Sequence, residues 1–478
     1  MKGECNMKKL VSLVMCLTLV LGLCACGGDT TENTPKGLQV GFGREIVMPE
    51  NPQNVHLNGT DTAGRKANGF LDYLKATCIA LRDEQGNTVL MFTFDILNIT
   101  DTINEELRLQ VAQKTSVPKE NIIFSATHTH SSPAMTGSYE GAAEYKKVFF
   151  AGAEKAAVDA IADLSYAEIS YGSTFTEKQV FVRHYVHEDG KITASSGITD
   201  INKIIGHPTE ADEEMQIIRF TRPEEGKKDV LLISWNSHPT FHGGVTDDQI
   251  SADFPGPTRD YIESQGDYLV GYFTGDAGNQ APDSRILSEA HNMDYRQFGE
   301  KLGQVCLAAL PGLTAATGNT LQVQNQNYQA RANKEKLDML PQAKEVIEVY
   351  DSQGRDAANA LADRYGLYQF LEARAITKRA SSANIHEVKM TAMAVGDNIS
   401  FVFASYEMFT NHGHALRTET PYDFTFVASC SQGSNSYIPS QEGYDYGCYE
   451  SYVAVVAPGT GEELVTEYLN MLKSMKGE

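Results

Sequence analysis

The chain has 478 residues, 41 % of them hydrophobic and 21 % charged, a composition typical of folded proteins that excludes a disordered or collagen-like chain. It carries 62 Asp and Glu against 40 Lys and Arg, a formal charge of −22. Because nucleic acids and anionic lipid surfaces attract basic proteins, this balance argues against nucleic acid as a partner and against broad electrostatic contact with lipid.

The N-terminal segment has the pattern of a bacterial lipoprotein signal. Lys8 and Lys9 precede the uncharged run 10–23, which is too short to cross a bilayer comfortably. The run ends in Leu-Cys-Ala-Cys-Gly, which resembles a lipobox with Cys26 as the lipidated residue. We therefore predict a signal peptide at 1–25, a lipidated tether at 26–37 and one domain at 38–478, anchored to the outer face of the cytoplasmic membrane. The alternative is an ordinary secretory signal that is cut nearby.

Beyond the tether, strand-like and helix-like segments alternate without a fixed period. Two apolar runs flank Asp-Glu-Gln-Gly-Asn at 83–87, which predicts a hairpin over 76–96. Further strands are predicted at 40–48, 121–126, 168–174, 179–186, 215–221, 230–235, 268–274, 322–330, 385–395, 399–405 and 424–428. Helices are predicted at 102–114 (capped by Asp101 or Thr102), 140–164, 259–265, 295–310, in two runs within 334–375, and at 462–475. The pattern predicts a single large α/β domain with a mixed β-sheet core flanked by helices.

Four cysteines follow Cys26. Cys78 and Cys306 lie in apolar runs and are predicted to be buried free thiols. Cys430 and Cys448 would be able to pair outside the cell, and the sequence leaves that question open. The absence of a Cys-x-x-Cys motif argues against a thiolate zinc site.

Polar side chains follow several predicted strands, the place where α/β proteins put their chemistry. His128 and His130 follow the strand 121–126, and alternate residues of an extended chain face the same way. They would converge as two metal ligands, or as one ligand and one general acid/base. His238, fixed by the following proline, ends the strand 230–235 and is a natural zinc ligand. The alternative for His128 and His130 is two surface histidines in a loop, and for His238 it is a histidine whose ring nitrogens are satisfied by the backbone.

Two further segments complete the pattern. Glu407 follows an apolar strand, where a carboxylate is costly to bury unless it is paired or bound to metal, and a solvated turn is the alternative. The turn 275–282 is rich in glycine, suits close backbone approach, and contains Asn279 as a predicted substrate contact. Two histidines and one carboxylate with an open position form the hydrolytic zinc pattern, in which zinc activates a water near pH 7.

Together these segments resemble the catalytic domain of the neutral/alkaline ceramidase family, which are zinc amidases. The resemblance runs in order over residues 38 to 460. It rests on VGFGREI at 40–46, Phe94-Asp95, His128-Thr129-His130-Ser131, His238-Pro239-Thr240, Ser251-Ala252-Asp253, Gly275-Asp276, Glu407, Tyr437-Ile438-Pro439-Ser440 and Tyr449-Glu450.

The resemblance implies functional roles for these positions. The implied zinc ligands are His128, His238 and Glu407, and His130 is implied as a catalytic residue that assists proton transfer. Asp95 and Asp253 are implied to orient the histidines and to support catalysis. The family also has a tyrosine ligand. The local match places Ser434 at that position, and Tyr437, three residues on, is the candidate ligand.

The sequence also departs from the family. Ala281 stands where the family has a serine proposed to act in catalysis, so attack by a zinc-activated water is the route that remains open. The extra C-terminal β-sandwich domain of the ceramidases is not expected here.

Several basic and histidine residues lie outside the motifs. Arg183 is predicted to bind a carboxylate or phosphate of the substrate, although pairing with a local acid is the alternative. His184 and His187 are predicted to lie on the surface, and His412 and His414 in a helix or loop near the site.

The leading prediction is a zinc-dependent hydrolase that cleaves an N-acyl, ceramide-like amide bond or, less readily, an ester. One alternative is a zinc- or ligand-binding lipoprotein that has lost catalysis on the same fold. The other is an amidohydrolase barrel, in which His-x-His ligates metal on the first of eight βα repeats. A long apolar groove at the site would favour a lipid amide, and a small polar pocket would not.

Overall fold

The computed structural model describes residues 37–59, 65–137, 139–194, 198, 200–243, 247–282 and 293–478. The predicted signal peptide, Cys26 and the tether up to residue 36 lie outside these residues. Within the described part of the chain, Gly37–Glu478 forms one compact unit. In that part no helix is both long enough and apolar enough to cross a bilayer.

The strands, in chain order, are β1 (Gln39–Ile46), β2 (Gln53–His56), β3 (Lys66–Asn68), β4 (Lys75–Arg82), β5 (Thr88–Phe94), β6 (Ile122–Ala126), β7 (Ser165–Tyr166), β8 (Glu168–Phe175), β9 (Phe181–Val182), β10 (His184–His187), β11 (Ile192–Ala194), β12 (Ile204–Gly206), β13 (Glu214–Thr221), β14 (Asp229–Trp235), β15 (Tyr268–Thr274), β16 (Gln280–Ala281), β17 (Thr314–Ala315), β18 (Leu321–Arg331), β19 (Ile385–Val395), β20 (Ile399–Ala404), β21 (Glu407–Met408), β22 (Phe424–Ala428) and β23 (Tyr437–Ile438). The helices are α1 (Asp101–Thr115), α2 (Ala142–Ala162), α3 (Pro255–Ser264), α4 (Tyr295–Ala309), α5 (Leu340–Gln353), α6 (Arg355–Arg364), α7 (Gln369–Ser381), α8 (Thr410–Thr418), α9 (Gln441–Tyr446), α10 (Tyr449–Val453) and α11 (Thr460–Lys476).

Three sheets hold most of the strands. Their strand orders are β6-β5-β4-β1-β7, β15-β14-β13-β8-β17 and β18-β19-β20-β22. Pairing within them is antiparallel except for three parallel pairs, β5/β6, β14/β15 and β20/β22. This arrangement confirms the predicted mixed α/β core. No sheet of the described residues is an eight-stranded parallel barrel, so the amidohydrolase alternative is wrong.

The three sheets share one apolar core. Each contributes inward side chains to it, represented by Ile79, Ile218 and Phe401. Helices cover the outer faces: α1 and α2 the first sheet, α3 and α4 the second, α8 and α11 the third. Successive residues of a strand therefore meet different apolar layers, as Cys78 and Ile79 do in β4. Burial on both faces explains why the strands are continuous apolar runs in the sequence.

Two glycines of β1 let this strand approach α2 closely. A Cβ atom at Gly41 or Gly43 would collide with the backbone oxygen of Ala160 or Ala156, respectively. The contact explains the two glycines of the VGFGREI segment in packing terms.

Most predicted elements are confirmed, and three differ. The hairpin over 76–96 forms as β4 and β5, but the cap of α1 is Thr100. The predicted strand 179–186 is divided between β9 and β10, which belong to different small sheets. The region 334–375 contains three helices instead of two, because the chain turns again between α6 and α7. These helices, α5 to α7, pack on an apolar cluster of their own and are called the helical arm below.

The four cysteines are buried free thiols. This confirms the prediction for Cys78 and Cys306. It leaves Cys430 and Cys448 unpaired with each other, so the open disulfide question is answered against a bond.

Candidate metal centre

The carboxyl ends of the parallel strands meet at one place, and the predicted site residues stand there. His128 follows β6, His238 follows β14, and Glu407 follows β20. Glu407 opens the short strand β21, which runs parallel to β23 and places Tyr437 directly beside it. This is the edge at which open α/β sheets bind their ligands.

The side chains of these residues converge on one point. The Nε2 atoms of His128 and His238 lie 3.2 and 3.0 Å from the same oxygen, Oε2 of Glu407. The Nε2 atom of His130 lies 3.4 Å from that of His128. The Tyr437 hydroxyl lies 3.5 Å from Nε2 of His238. The structure thus brings together all four predicted ligands and His130; His128, His130, His238 and Glu407 are called the metal centre below.

Backbone carbonyls orient the two ligand histidines. The Nδ1 atom of His128 lies 2.7 Å from the oxygen of Leu97, and that of His238 lies 2.6 Å from the oxygen of Ala277. A carbonyl oxygen only accepts hydrogen bonds, so each Nδ1 carries a ring proton, and in its neutral form each ring presents the Nε2 lone pair to the centre. Oriented in this way, imidazoles are ready to bind a cation.

The predicted orienting role of Asp95 and Asp253 is therefore wrong. Asp95 accepts two hydrogen bonds from the Arg259 guanidinium, at 2.8 and 2.6 Å, and forms a buried structural ion pair. Asp253 accepts from the backbone N–H groups of His242 and Phe254, both at 2.7 Å. Burial raises the pKa of Asp253 to about 7. Neither carboxylate is among the residues that line the cavity of the site, and backbone carbonyls hold the Nδ1 atoms of His128 and His238.

The charges of the metal centre follow from its burial and its neighbours. Burial would raise the pKa of Glu407, but His128 and His238 outweigh it and hold that pKa well below its usual range. Burial, together with Arg183, lowers the pKa of His238 to about 4. Burial and the other two histidines also hold the pKa of His130 well below its usual range. At neutral pH the centre therefore contains an anionic carboxylate beside neutral imidazoles. The exception is His128, where burial lowers the pKa but Cys430 and Glu407 reverse the effect and raise it.

The surroundings of His238 show that a cation fits between its Nε2 atom and Glu407. A neutral imidazole has one N–H, and His238 places acceptors at both ring nitrogens: the oxygen of Ala277 at Nδ1 and Glu407 at Nε2. With the proton on Nδ1, the Nε2 lone pair faces a carboxylate oxygen 3.0 Å away, which is repulsive. A divalent cation between them would turn this repulsion into two coordination bonds. Imidazole nitrogens and a carboxylate oxygen are the donor set that zinc prefers.

Backbone strain concentrates around the centre. His128, Cys430 and Ser436 have φ angles of +68°, +51° and +60°, the left-handed region that residues other than glycine rarely adopt. Each such residue costs about 1–3 kcal/mol, and the surrounding structure has to enforce it. At His128 the backbone N–H donates to the oxygen of Ile96 at 3.0 Å. Strain at a ligand position is typical of a site selected for function.

The glycine-rich turn makes the close backbone approach that its glycines predict, and its partner is the chain that carries Glu407. The Gly278 N–H donates to the oxygen of Met408 at 2.7 Å, and a Cβ atom at Gly278 would lie 2.6 Å from that oxygen. Asn279 is buried, and its carboxamide bonds to the backbone N–H and hydroxyl of Thr410, at 3.0 and 3.2 Å. It fastens the turn to α8 and is not among the described residues that line the cavity, so its substrate contact stays a prediction. Ala281 pairs with Phe181 in the two-residue strand β16.

A second histidine–carboxylate group lies behind Arg183. The Arg183 Nε donates to Oε1 of Glu450 at 2.7 Å, and His184 Nε2 donates to Oε2 at 2.7 Å. The Tyr446 hydroxyl donates to His184 Nδ1 at 2.8 Å. Cys448 lies close enough to His184 and Glu450 for the three to share an ion. These five residues are called the His184 cluster below.

The structure corrects one prediction here and bears on another. His184 is fully buried, so its predicted surface position is wrong, because the cluster satisfies both of its ring nitrogens. Arg183 pairs with Glu450, which was the alternative, and it also lines the cavity, while its binding of a substrate anion stays a prediction. Burial would raise the pKa of Glu450, but His184 and Arg183 hold it well below its usual range. His412 lies in α8, as predicted.

The metal centre opens into a cavity of about 510 Å³. Besides His128, His130, Glu407, Tyr437 and Arg183, its wall includes residues that sequence reasoning missed: Ser436, Tyr449, Glu450, and Arg355, Tyr368 and Arg374 of the helical arm. Tyr449 and Glu450 belong to one of the segments on which the family resemblance rests. That resemblance was the sequence signal by which these two residues could have been found. No pattern in the arm's own sequence connects it with the strand ends.

The fold, a mixed α/β domain with its site at converging strand ends, is that of the neutral ceramidases. Neutral ceramidase from Pseudomonas aeruginosa matches with a TM-score of 0.69 at 16 % identity, over 92 % of this chain and 75 % of that one. A ceramidase complexed with C2 matches with a TM-score of 0.68 at 16 % identity, over 92 % and 76 %. No protein-family model matches the sequence. The resemblance predicted from the motifs is thus confirmed at the level of the fold.

Proposed function

We propose that this protein is a zinc-dependent hydrolase that cleaves the amide bond of N-acyl compounds. The observation that carries the proposal is the neutral His238, whose Nε2 lone pair faces Glu407 at 3.0 Å and calls for a cation between them. The fold shared with neutral ceramidases supports amide hydrolysis as the reaction.

The ion would be held by His128, His238 and Glu407, with Tyr437 as a candidate fourth ligand. When bound, zinc supplies Lewis acidity, which brings the pKa of water to about 7 and polarises an amide carbonyl. The tilt of the ligand rings is set before any ion arrives, because the carbonyls of Leu97 and Ala277 hold both Nδ1 atoms. This preorganisation lowers the cost of assembling the site.

Two further residues would act on the substrate. His130 is a neutral imidazole on the cavity wall and would accept a proton from the attacking water and return it to the leaving amine. Arg183 would stabilise negative charge on the carbonyl oxygen, because Glu450 and the oxygen of Gly278 fix its guanidinium at the cavity. Ala281 has no hydroxyl, which leaves water as the nucleophile.

The test is turnover of a panel of N-acyl amides by purified protein, before and after removal of metal by a chelator. We expect hydrolysis that disappears on chelation and returns with one zinc per chain. One bound zinc without turnover of any amide or ester would favour the non-catalytic binding protein instead. Absence of zinc binding would contradict the metal centre itself.

We also propose that Cys26 anchors the protein to the outer face of the cytoplasmic membrane, a proposal supported by the lipobox-like sequence alone. Labelled fatty acid should be incorporated into the wild-type chain and not into Cys26→Ala. Equal incorporation into both would contradict it.

A further inference from the structure

Four polar side chains on the wall of the metal-centre cavity are not engaged by the protein. They are the carboxamides of Asn98 and Gln369 and the hydroxyls of Ser436 and Tyr449. Each residue is half-buried, and in the part of the chain that the structure describes none of the four side chains makes a hydrogen bond. They differ in this from Glu450 of the same wall, which is bound by a guanidinium and an imidazole. The four groups, called the polar wall below, are therefore available to a bound molecule.

Two members of the polar wall stand on strained backbone. The φ angles of Gln369 and Ser436 are +52° and +60°, in the left-handed region that favours glycine. Such strain persists only where the surrounding structure enforces it, and it is concentrated at sites that bind ligands. Gln369 lies at the start of α7 in the helical arm, whereas Ser436 directly precedes Tyr437. Strain on both sides of the cavity thus coincides with side chains that face a ligand.

The chemistry of the polar wall favours one class of ligand. A carboxamide has two N–H donors and a carbonyl acceptor, and a hydroxyl has one donor and two lone pairs. An anion would use only the donors of such a wall, and a hydrocarbon would leave donors and acceptors unpaired. A polyhydroxylated compound would use both, because each of its hydroxyls donates and accepts.

Three tyrosine rings extend this wall away from the metal centre. The centres of the Tyr437 and Tyr449 rings are 5.7 Å apart, and those of the Tyr449 and Tyr368 rings are 6.1 Å apart. All three residues line the cavity. The face of an aromatic ring is partially negative and attracts polarised C–H groups, which cover the two faces of a sugar ring. An aromatic wall beside carboxamides and hydroxyls therefore suits a sugar.

The remainder of the lining is poorly suited to long hydrocarbon chains. The aliphatic side chains among its described residues are Leu97, Ala194 and Leu371. A lipid with two long chains would require a continuous apolar surface. The cavity volume of about 510 Å³ is within the range of sites that bind compact small molecules.

We propose that the substrate is an N-acylated amino sugar, whose hydroxyls bind the polar wall while its amide lies at the metal centre. This proposal rests on the proposed amide hydrolysis. The reaction adds water across the C–N bond of the amide. The acyl carbon gains hydroxyl and the nitrogen gains hydrogen, so the products are a carboxylic acid and the free amino sugar.

Binding to metal-free protein tests the polar wall without turnover. The probes are N-butanoylglucosamine and N-butanoylcyclohexylamine, which has the same ring size without hydroxyls, titrated calorimetrically into the full-length protein. We expect the sugar amide to bind about tenfold or more tightly, because several hydrogen bonds are added. Asn98→Leu with Gln369→Leu should abolish this preference. Gln353→Leu, at an exposed carboxamide of the same arm, should retain it.

A smaller change keeps the test independent of folding. Ser436→Ala removes one hydroxyl and should weaken binding of the sugar amide about threefold or more. Equal binding of the two amides by the wild type, or tighter binding of the cyclohexyl compound, would overturn the proposal. A preference that survives the double variant would also overturn it, as would an unchanged affinity of Ser436→Ala if the double variant does not fold.

Turnover separates this proposal from the proposed function. The zinc-loaded protein is assayed for kcat/KM on both amides and on N-acetylsphingosine, a short ceramide. Selective binding of the sugar amide without hydrolysis of any of the three would sustain the polar wall and count against the proposed function. A higher kcat/KM for N-acetylsphingosine than for the sugar amide would sustain the proposed function and overturn this substrate class.

Discussion

Two buried histidine–carboxylate groups lie side by side in this protein, and they differ in how their nitrogens are used. In the metal centre, backbone carbonyls hold Nδ1 of His128 and His238, and both Nε2 atoms point at one oxygen of Glu407. In the His184 cluster, Tyr446 donates to one ring nitrogen of His184 and Glu450 accepts from the other. In the first group a nitrogen lone pair faces a carboxylate oxygen, whereas in the second both ring nitrogens have hydrogen-bond partners.

The difference shows that residue type alone does not identify a metal site. The donor atoms of His128, His130 and His238 lie within 4.8 Å of one another, and so do those of His184, Cys448 and Glu450. The cluster already has a cation, because the Arg183 guanidinium supplies the charge that Glu450 needs. We therefore expect zinc in the metal centre and a positioning role for the His184 cluster.

The largest expected effect separates the two histidines directly. His238→Ala should reduce zinc from about one per chain to below about 0.1, and reduce kcat/KM by about 1,000-fold or more, because a ligand is lost. His184→Ala should keep its zinc. Elemental analysis of both purified variants measures the zinc content per chain. Loss of zinc from His184→Ala but not from His238→Ala would contradict the assignment of zinc to the metal centre.

Removal of the Glu450 carboxylate from the His184 cluster should lower the free energy of unfolding. Glu450→Ala leaves Arg183 and His184 buried without their partner, and breaking a buried pair costs about 3–5 kcal/mol of unfolding free energy. Denaturant unfolding of metal-free protein measures the cost. The matched variant Glu407→Gln should cost less, since its amide N–H would donate to the lone pair of His238. A larger cost for Glu407→Gln would contradict the assigned proton positions.

The free energy of unfolding should depend on pH through the His184 cluster. The folded pKa of Glu450 is lowered, so its contribution is fully present above its unfolded pKa of about 4.3 and is lost as the pH falls below that value. The slope for one group reaches about 1.4 kcal/mol per pH unit. Urea unfolding of metal-free wild type and Glu450→Gln between pH 3 and 6 should show a steeper loss in the wild type, because other carboxylates with lowered pKa values, such as Glu407, are present in both proteins. Parallel curves would refute the pairing.

The smallest expected effect is at the hydroxyl of Tyr446. Tyr446→Phe removes one hydrogen bond to His184 and should cost about 1 kcal/mol, with unchanged zinc content. Unfolding and elemental analysis check the two parts. A drop in zinc content would connect the cluster to metal binding and weaken the distinction between the two groups.

Sequence reasoning located the metal centre because its residues stand at strand ends. His128, His238 and Glu407 follow apolar runs, and the convergence of parallel strands brings such positions together. The carbonyls that orient the histidines leave no signal in the sequence, since every residue has one. Asp95 and Asp253 were assigned that role because carboxylates often occupy it.

The His184 cluster and the approach of the helical arm to the cavity were not predictable in the same way. His184 and Glu450 are separated by 266 positions in the sequence, so the burial of His184 depends on a partner that no local pattern reveals. The helical arm was expected to be helical, but its approach to the cavity depends on tertiary packing. The fold itself was well predicted, because long apolar runs specify strands strongly.

The most direct test of the central claim is anomalous X-ray diffraction at the zinc edge from crystals of the zinc-loaded protein. We expect one strong peak bonded to Nε2 of His128, Nε2 of His238 and a carboxylate oxygen of Glu407, at about 2.0–2.2 Å from each. A peak at His184, Cys448 and Glu450 with none at the metal centre would contradict the account.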